Sequence, residues 1–130
     1  MRCLLDTHTL LWFDSHTHKL SEKVLDTLLD ERNELFVSMA SIWEMQIKTQ
    51  LGKLSMQTSL DELIRSQQQT NGIRLLEIMP QHIYSLNKLP YHHRDPFDRM
   101  LLSQGVCEEL TILTIDSKMH KYQALVACYW

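Results

Sequence analysis

Met1-Arg2-Cys3-Leu4-Leu5-Asp6-Thr7-His8-Thr9-Leu10 is a short apolar run that stops on one carboxylate. Cys3-Leu4-Leu5 reads as a buried strand, and Thr7 onward reads as a helix whose apolar positions include Leu10, Leu11 and Phe13. Asp6 therefore sits at the carboxyl end of a strand. In an open parallel sheet ligands bind at that edge, because loops and helix N-termini converge there while helices cover the faces. The function then turns on whether other acids reach the same edge.

The rest of the chain repeats the pattern. Ser21 caps a helix carrying the stripe Val24, Leu25, Leu28 and Leu29 and running to about Arg32. Glu34 to Ser38 is a second strand, and Ser41-Ile42-Trp43-Glu44 has the capping-box pattern of a helix running to about Leu51, which puts Glu44 in the first turn. Ser59-Leu60-Asp61-Glu62 opens another helix with Leu60, Leu63 and Ile64 inward and Gln67-Gln68-Gln69 outward, ended by Gly72. Ile73 to Ile78 is a third strand, and Pro80 begins the helix that carries Ile83 and Leu86. After the polar loop Tyr91-His92-His93-Arg94, Asp95 caps a helix with Pro96 at its first position and Asp98 in its first turn. Leu110 to Ile115 is the most strand-like stretch, and it too stops on a carboxylate, Asp116. Ser117 to Tyr122 is a short helix, and Leu125 to Cys128 a last edge strand. Strands alternating with helices predict a three-layer α/β domain with a mostly parallel central sheet.

Composition bounds the function. With 130 residues, 44% hydrophobic and 22% charged, the chain suits one domain spanning residues 1–130. A formal charge of -3 rules out the broad basic surface of a non-specific nucleic-acid binder but leaves room for a local basic rim. Cys3, Cys107 and Cys128 are odd in number and widely spaced, so neither a disulfide framework nor a zinc ribbon is expected, and a reducing cytoplasm fits. No apolar run approaches the ~20 residues of a membrane span, and the N-terminus lacks a signal-peptide layout. The expectation is a cytoplasmic protein without membrane contact.

Four acids stand at positions that the sheet directs to one edge: Asp6 and Asp116 at strand ends, Glu44 and Asp98 at helix starts. Each has an ordinary structural role open to it, as an N-cap, the return half of a capping box, or an acid favourable to the helix dipole. Convergence is what distinguishes a site from four caps. Two unit charges ~4 Å apart repel by ~1 kcal/mol in water and ~4 kcal/mol at an effective dielectric near 20, so several acids in one cleft require a cation. Hard oxygen donors without a cysteine or histidine set select magnesium or manganese over zinc.

Other polar groups are ambiguous singly. His16-Thr17-His18 and His92-His93 lack HExxH spacing or a cysteine companion and read as loop histidines. Lys48 follows Glu44 by four residues, which suits a helix-surface ion pair as well as a contact with substrate. Arg94 and Arg99 flank the Asp98 turn and are candidates for gripping phosphate, with solvated surface charge as the alternative.

Leu4-Leu5-Asp6-Thr7-His8, Ser38-Met39-Ala40-Ser41-Ile42-Trp43-Glu44, His93-Arg94-Asp95-Pro96-Phe97-Asp98-Arg99-Met100-Leu101 and Thr114-Ile115-Asp116 together resemble the PIN domain, in the branch of virulence-associated protein C type toxins. The likeness covers essentially the whole chain. It implies a Rossmann-like PIN fold, RNA cleavage dependent on magnesium or manganese, inhibition by a small co-encoded antitoxin, and a homodimer. Carried over by position, Asp6, Glu44, Asp98 and Asp116 match the family's acidic quartet, which would hold the metal and carry catalysis. Asp95 is an additional acid of this branch and is assigned first to capping.

Two other classes compete with a toxin endoribonuclease. A non-toxin PIN-like nuclease, a DNA nuclease or a phosphatase would use the same acids, since phosphoryl chemistry depends mainly on positioning and charge stabilisation. A doubly wound phosphoacceptor or interaction module would need Asp6 only as a modified residue or a cap. The first strand's end argues against that class, because it lacks adjacent acids and position 8 is His8 rather than a second aspartate.

Overall fold

Five strands and seven α-helices alternate along the chain in the computed structural model, which describes residues 1–130. β1 (Arg2–Leu5) leads into α1 (Thr7–Ser15) and, past a 3-10 turn, α2 (Glu22–Leu29). β2 (Glu34–Ser38) runs directly into α3 (Met39–Gln50), followed by α4 (Leu60–Asn71) and β3 (Arg74–Leu76). The second half contains α5 (Pro80–Tyr84), α6 (Pro96–Glu108), β4 (Thr111–Leu113), α7 (Ser117–His120) and β5 (Cys128–Tyr129).

The sheet order is β3-β2-β1-β4-β5, and every pair is parallel. Leu4 of β1 registers with Phe36 on one side and Ile112 on the other. The chain builds outward from β1 through β2 to β3, then crosses back to lay β4 against the free side of β1. Helices that follow β1 and β4 consequently cover opposite faces, and a crevice opens between the carboxyl ends of those two strands. Asp6 and Asp116 lie just beyond these ends.

Period-two alternation divides the core between the faces. Cys3 and Leu5 of β1 join Leu35, Val37 and Leu113 beneath α1 to α4, against Leu10, Phe13, Val24, Met45 and Leu63. Leu4 and Ile112 point the other way, against Leu101 and Leu102 of α6, Met119 of α7 and Tyr122. α6 lies close on the sheet at Gly105, where an added Cβ would come within 2.7 Å of Val126 Cγ2 and 3.0 Å of Ile112 Cδ1. All three cysteines are free.

Several local expectations need correction. α3 starts three residues earlier than the Ser41 pattern indicates, because Ser38 ends β2 and its Oγ accepts from the Ala40 N–H at 3.0 Å. Ser41 is then inside the helix, its hydroxyl buried without a partner, and Glu44 stands in the second turn. α2 stops at Leu29, whose side chain is exposed rather than part of the buried stripe. Gln67 turns inward instead of outward, donating to Asp14 Oδ1 at 3.0 Å and accepting from Asn71 Nδ2 at 2.8 Å. β3 and β4 are each shorter than the apolar runs containing them, and β5 begins at Cys128 rather than Leu125. Ile83 is exposed, and Leu86 lies beyond α5 in a 3-10 turn.

Candidate metal centre

Asp6 follows β1 in extended conformation, and its Oδ1 caps α1 by accepting from the Thr9 N–H at 2.8 Å. Its own N–H donates to Leu113 O at 3.2 Å, tying the end of β1 to β4. Capping and a place in the site thus coexist in one residue. Burial pushes the Asp6 carboxyl above its ordinary range, with Thr114, Thr9 and His8 pulling the other way.

Glu44 projects from α3 as a buried carboxylate with two partners. Thr7 Oγ1 donates to its Oε1 at 2.6 Å, and Lys48 Nζ lies 3.0 Å from its Oε2. Thr7 therefore links the β1–α1 junction to α3. Nothing in the sequence marks Thr7 for this role beyond its place directly after Asp6.

Asp98 stands in the first turn of α6 behind Asp95, whose Oδ1 accepts from the Phe97 and Asp98 N–H groups at 2.9 and 3.0 Å. The cap expected of Asp95 is present. Burial, followed by the charges of Asp95, Glu44 and Asp6, pushes Asp98 up to about 7 against the pull of His93. Asp116 caps α7, accepting from the Lys118 N–H through Oδ1 at 2.9 Å and facing His93 Nε2 through Oδ2 at 2.8 Å. Desolvation works to raise Asp116, but His93 and the Lys118 backbone outweigh it and hold the carboxyl below its ordinary range.

Asp6, Glu44, Asp98 and Asp116 all line one cleft of about 160 Å³, joined by Asp95 and Lys48. Larger hollows exist, one of about 750 Å³ bordered by Met1, Asp26 and Asn33 at the amino ends of β1 and β2, but the acids lining it, Glu22, Asp26 and Asp30, do not bring their oxygens within metal-sharing distance of one another. The four sequence-chosen carboxylates meet; the three chosen cations do not. Lys48 reaches the cleft, and Arg94 is exposed outside its lining. Arg99 corrects the phosphate-gripping expectation. It is buried, with Nη1 donating to the carbonyls of Pro90 (3.1 Å) and His93 (3.3 Å) and Nη2 to those of Leu86 (3.2 Å) and Leu89 (3.4 Å).

His93 is not the ordinary loop histidine that its sequence context suggests: its Nε2 lies 2.8 Å from Asp116 Oδ2 and 3.0 Å from Asp98 Oδ2. Its signal in the sequence was adjacency, since it stands two residues before the Asp95 cap.

The PIN domain sequence profile matches residues 3–125. The chain belongs to the PIN domain family. Nucleases of this family generally hydrolyse nucleic acids. The structure of VapBC2 from Rickettsia felis, bound to a DNA fragment from their promoter, is similar to this PIN domain with a TM-score of 0.71 at 13% identity, covering 99% of this chain and 98% of that one. DNA-bound VapBC from Salmonella typhimurium gives 0.69 at 11% identity, with coverage of 99% and 97%. FitAcB from Neisseria gonorrhoeae gives 0.65 at 15% identity, with coverage of 98% and 96%. These likenesses establish the fold. No curated protein sequence matches the chain.

The donors of this PIN domain suit a hard divalent cation. The cleft offers carboxylate oxygens from Asp6, Glu44, Asp98 and Asp116, and the charges of its neighbouring acids add to burial in lifting Asp98. A bound cation would relieve that repulsion. No helix is long and apolar enough to cross a membrane.

Proposed function

We propose that the protein is a metal-dependent endoribonuclease acting as the toxin of a toxin–antitoxin pair. The observation that carries this reading is the meeting of four carboxylates from four separate segments in one cleft at the β1/β4 crevice. Membership of the PIN family supports hydrolysis of nucleic acid. Structural likeness to VapBC and FitAcB supports the toxin role, in line with the virulence-associated protein C motifs.

Magnesium or manganese held by Asp6, Glu44, Asp98 and Asp116 would supply Lewis acidity toward a phosphodiester and a water of lowered pKa. The chain's own residues prepare the place. Asp6 and Asp116 are fixed by the helices they cap, and Glu44 is held by Thr7 and Lys48. Lys48, partly exposed at the cleft, brings a cation to the approaching phosphate, and Arg94 adds to attraction from outside. A cleft walled by acids also suits an arginine or lysine of a small co-encoded antitoxin, since a guanidinium contacts two carboxylate oxygens at once. A homodimer completes the reading.

The test is sequencing of RNA ends after brief expression of the intact protein or of Asp6→Asn. New ends at defined sites with the intact protein, and their reduction by roughly 100-fold or more in the variant, are expected. Equal cleavage by both proteins contradicts the proposed centre. Ends in DNA but not RNA would instead identify a DNA nuclease.

A further inference from the structure

We infer that His93 is a positioning residue rather than a metal ligand, a buried donor whose Nε2–H holds the Asp116 carboxylate with the Asp98 carboxylate alongside. The inference rests on the metal-dependent reading above. His93, Asp98 and Asp116 bring ligand-type atoms within 4.8 Å of one another, which by itself suits a three-residue metal site. The ring's other nitrogen decides against that arrangement.

Asp95 donates its backbone N–H to His93 Nδ1 at 3.2 Å. A nitrogen that accepts a hydrogen bond carries no proton, so the neutral ring has its proton on Nε2. That nitrogen donates to Asp116 Oδ2 at 2.8 Å, and Asp98 Oδ2 lies 3.0 Å from it. For Nε2 to bind a cation, the proton would have to move to Nδ1, where the Asp95 N–H already points. Two donors would then meet head to head.

Turning the ring away is opposed by the packing around it. His93 is 6% exposed, its N–H donates to Tyr122 Oη at 2.9 Å, and its carbonyl accepts from Arg99 Nη1 at 3.3 Å. The donor role matches what the carboxylates need. Asp98 comes from α6 and Asp116 from the start of α7, two separate segments that bring like charges to either side of the same nitrogen. An N–H held on Asp116 beside Asp98 places positive hydrogen between the two carboxylates while their oxygens keep lone pairs for a cation. Such outer partners typically govern metal affinity by about 10–100-fold.

The experiment combines side-chain nitrogen NMR of the whole protein with calorimetric titration of Mn2+ into wild type, His93→Gln and His93→Ala. Expected is a protonated Nε2 and bare Nδ1 at His93, both without metal and after Mg2+ saturates. His93→Gln, whose amide N–H can stand in for Nε2–H, should hold Mn2+ within about 3-fold of wild type, and His93→Ala should lose about 10–100-fold. Protonated Nδ1 in either state overturns the inference, as does a folded His93→Ala with wild-type affinity or a folded His93→Gln that falls as far as alanine. Should His93→Ala not fold, the wild-type spectrum and the glutamine variant decide. If wild type binds neither Mg2+ nor Mn2+, the metal reading fails separately, and the metal-free spectrum still supports or overturns the donor role.

Discussion

Asp98 carries the clearest electrostatic consequence at the scale of single residues. Its folded pKa of about 7 lies above the ordinary 3.8, so the folded protein holds this proton more tightly than the unfolded chain does. The stabilisation from protonation is full below pH ~4 and is lost as pH rises through about 7, a swing of a few kcal/mol at ~1.4 kcal/mol per pK unit. Melting temperatures of metal-free protein should fall across that window, and Asp98→Asn should flatten the fall. Added Mn2+ should restore wild type more than the variant. An identical pH profile in both proteins would show that Asp98 bears no such load. Arg99 makes a second residue-scale prediction, since its loss leaves the carbonyls of Leu89 and His93 without their donor and those of Leu86 and Pro90 with one donor each, the Leu89 N–H and Tyr122 Oη. Arg99→Ala should cost about 2–4 kcal/mol in urea unfolding, well beyond a surface substitution. A lone arginine beside an acidic helix turn reads as surface charge in a sequence. Its burial depends on how residues 86–93 wrap around it, which no local pattern encodes.

α6 offers paired tests at the scale of an element. Gly105→Ala should gain up to ~1 kcal/mol from helix propensity in an open setting. Here the new Cβ would meet Val126 Cγ2 at 2.7 Å, and Val126 is itself buried, so a net loss of about 1–3 kcal/mol is expected. Glu109, just past the same helix, has φ 54°, and Glu109→Gly should stabilise by about 0.5–1 kcal/mol in urea unfolding. Opposite signs a few residues apart would separate packing from backbone strain. Element order and type were legible because apolar period and cap residues are local. Strand length was not, because it belongs to the partner: β4 pairs with β1 only where Thr111–Leu113 face Cys3–Leu5, and the apolar run continues past the end of β1. Ser38 likewise displaced Ser41 as the cap of α3 because β2 ends there.

The whole molecule turns these local placements into a site. Laying β4 beside β1 brings residues more than a hundred positions apart, Asp6 and Asp116, to one crevice, while α3 and α6 deliver Glu44 and Asp98. The acids were legible since each sits at a fixed offset from a strand end or helix start. Thr7 and His93 were not, because their importance lies in partners that only the assembled fold brings near. Repulsion among the gathered carboxylates makes a divalent cation the expected completion of the cleft. The most direct measurement is the rate at which purified protein cleaves unstructured RNA as Mn2+ is titrated from excess chelator. Saturable activation from a rate of zero, with Asp98→Asn needing more Mn2+ and reaching a lower plateau, is the predicted result; cleavage at full rate in excess chelator would contradict it.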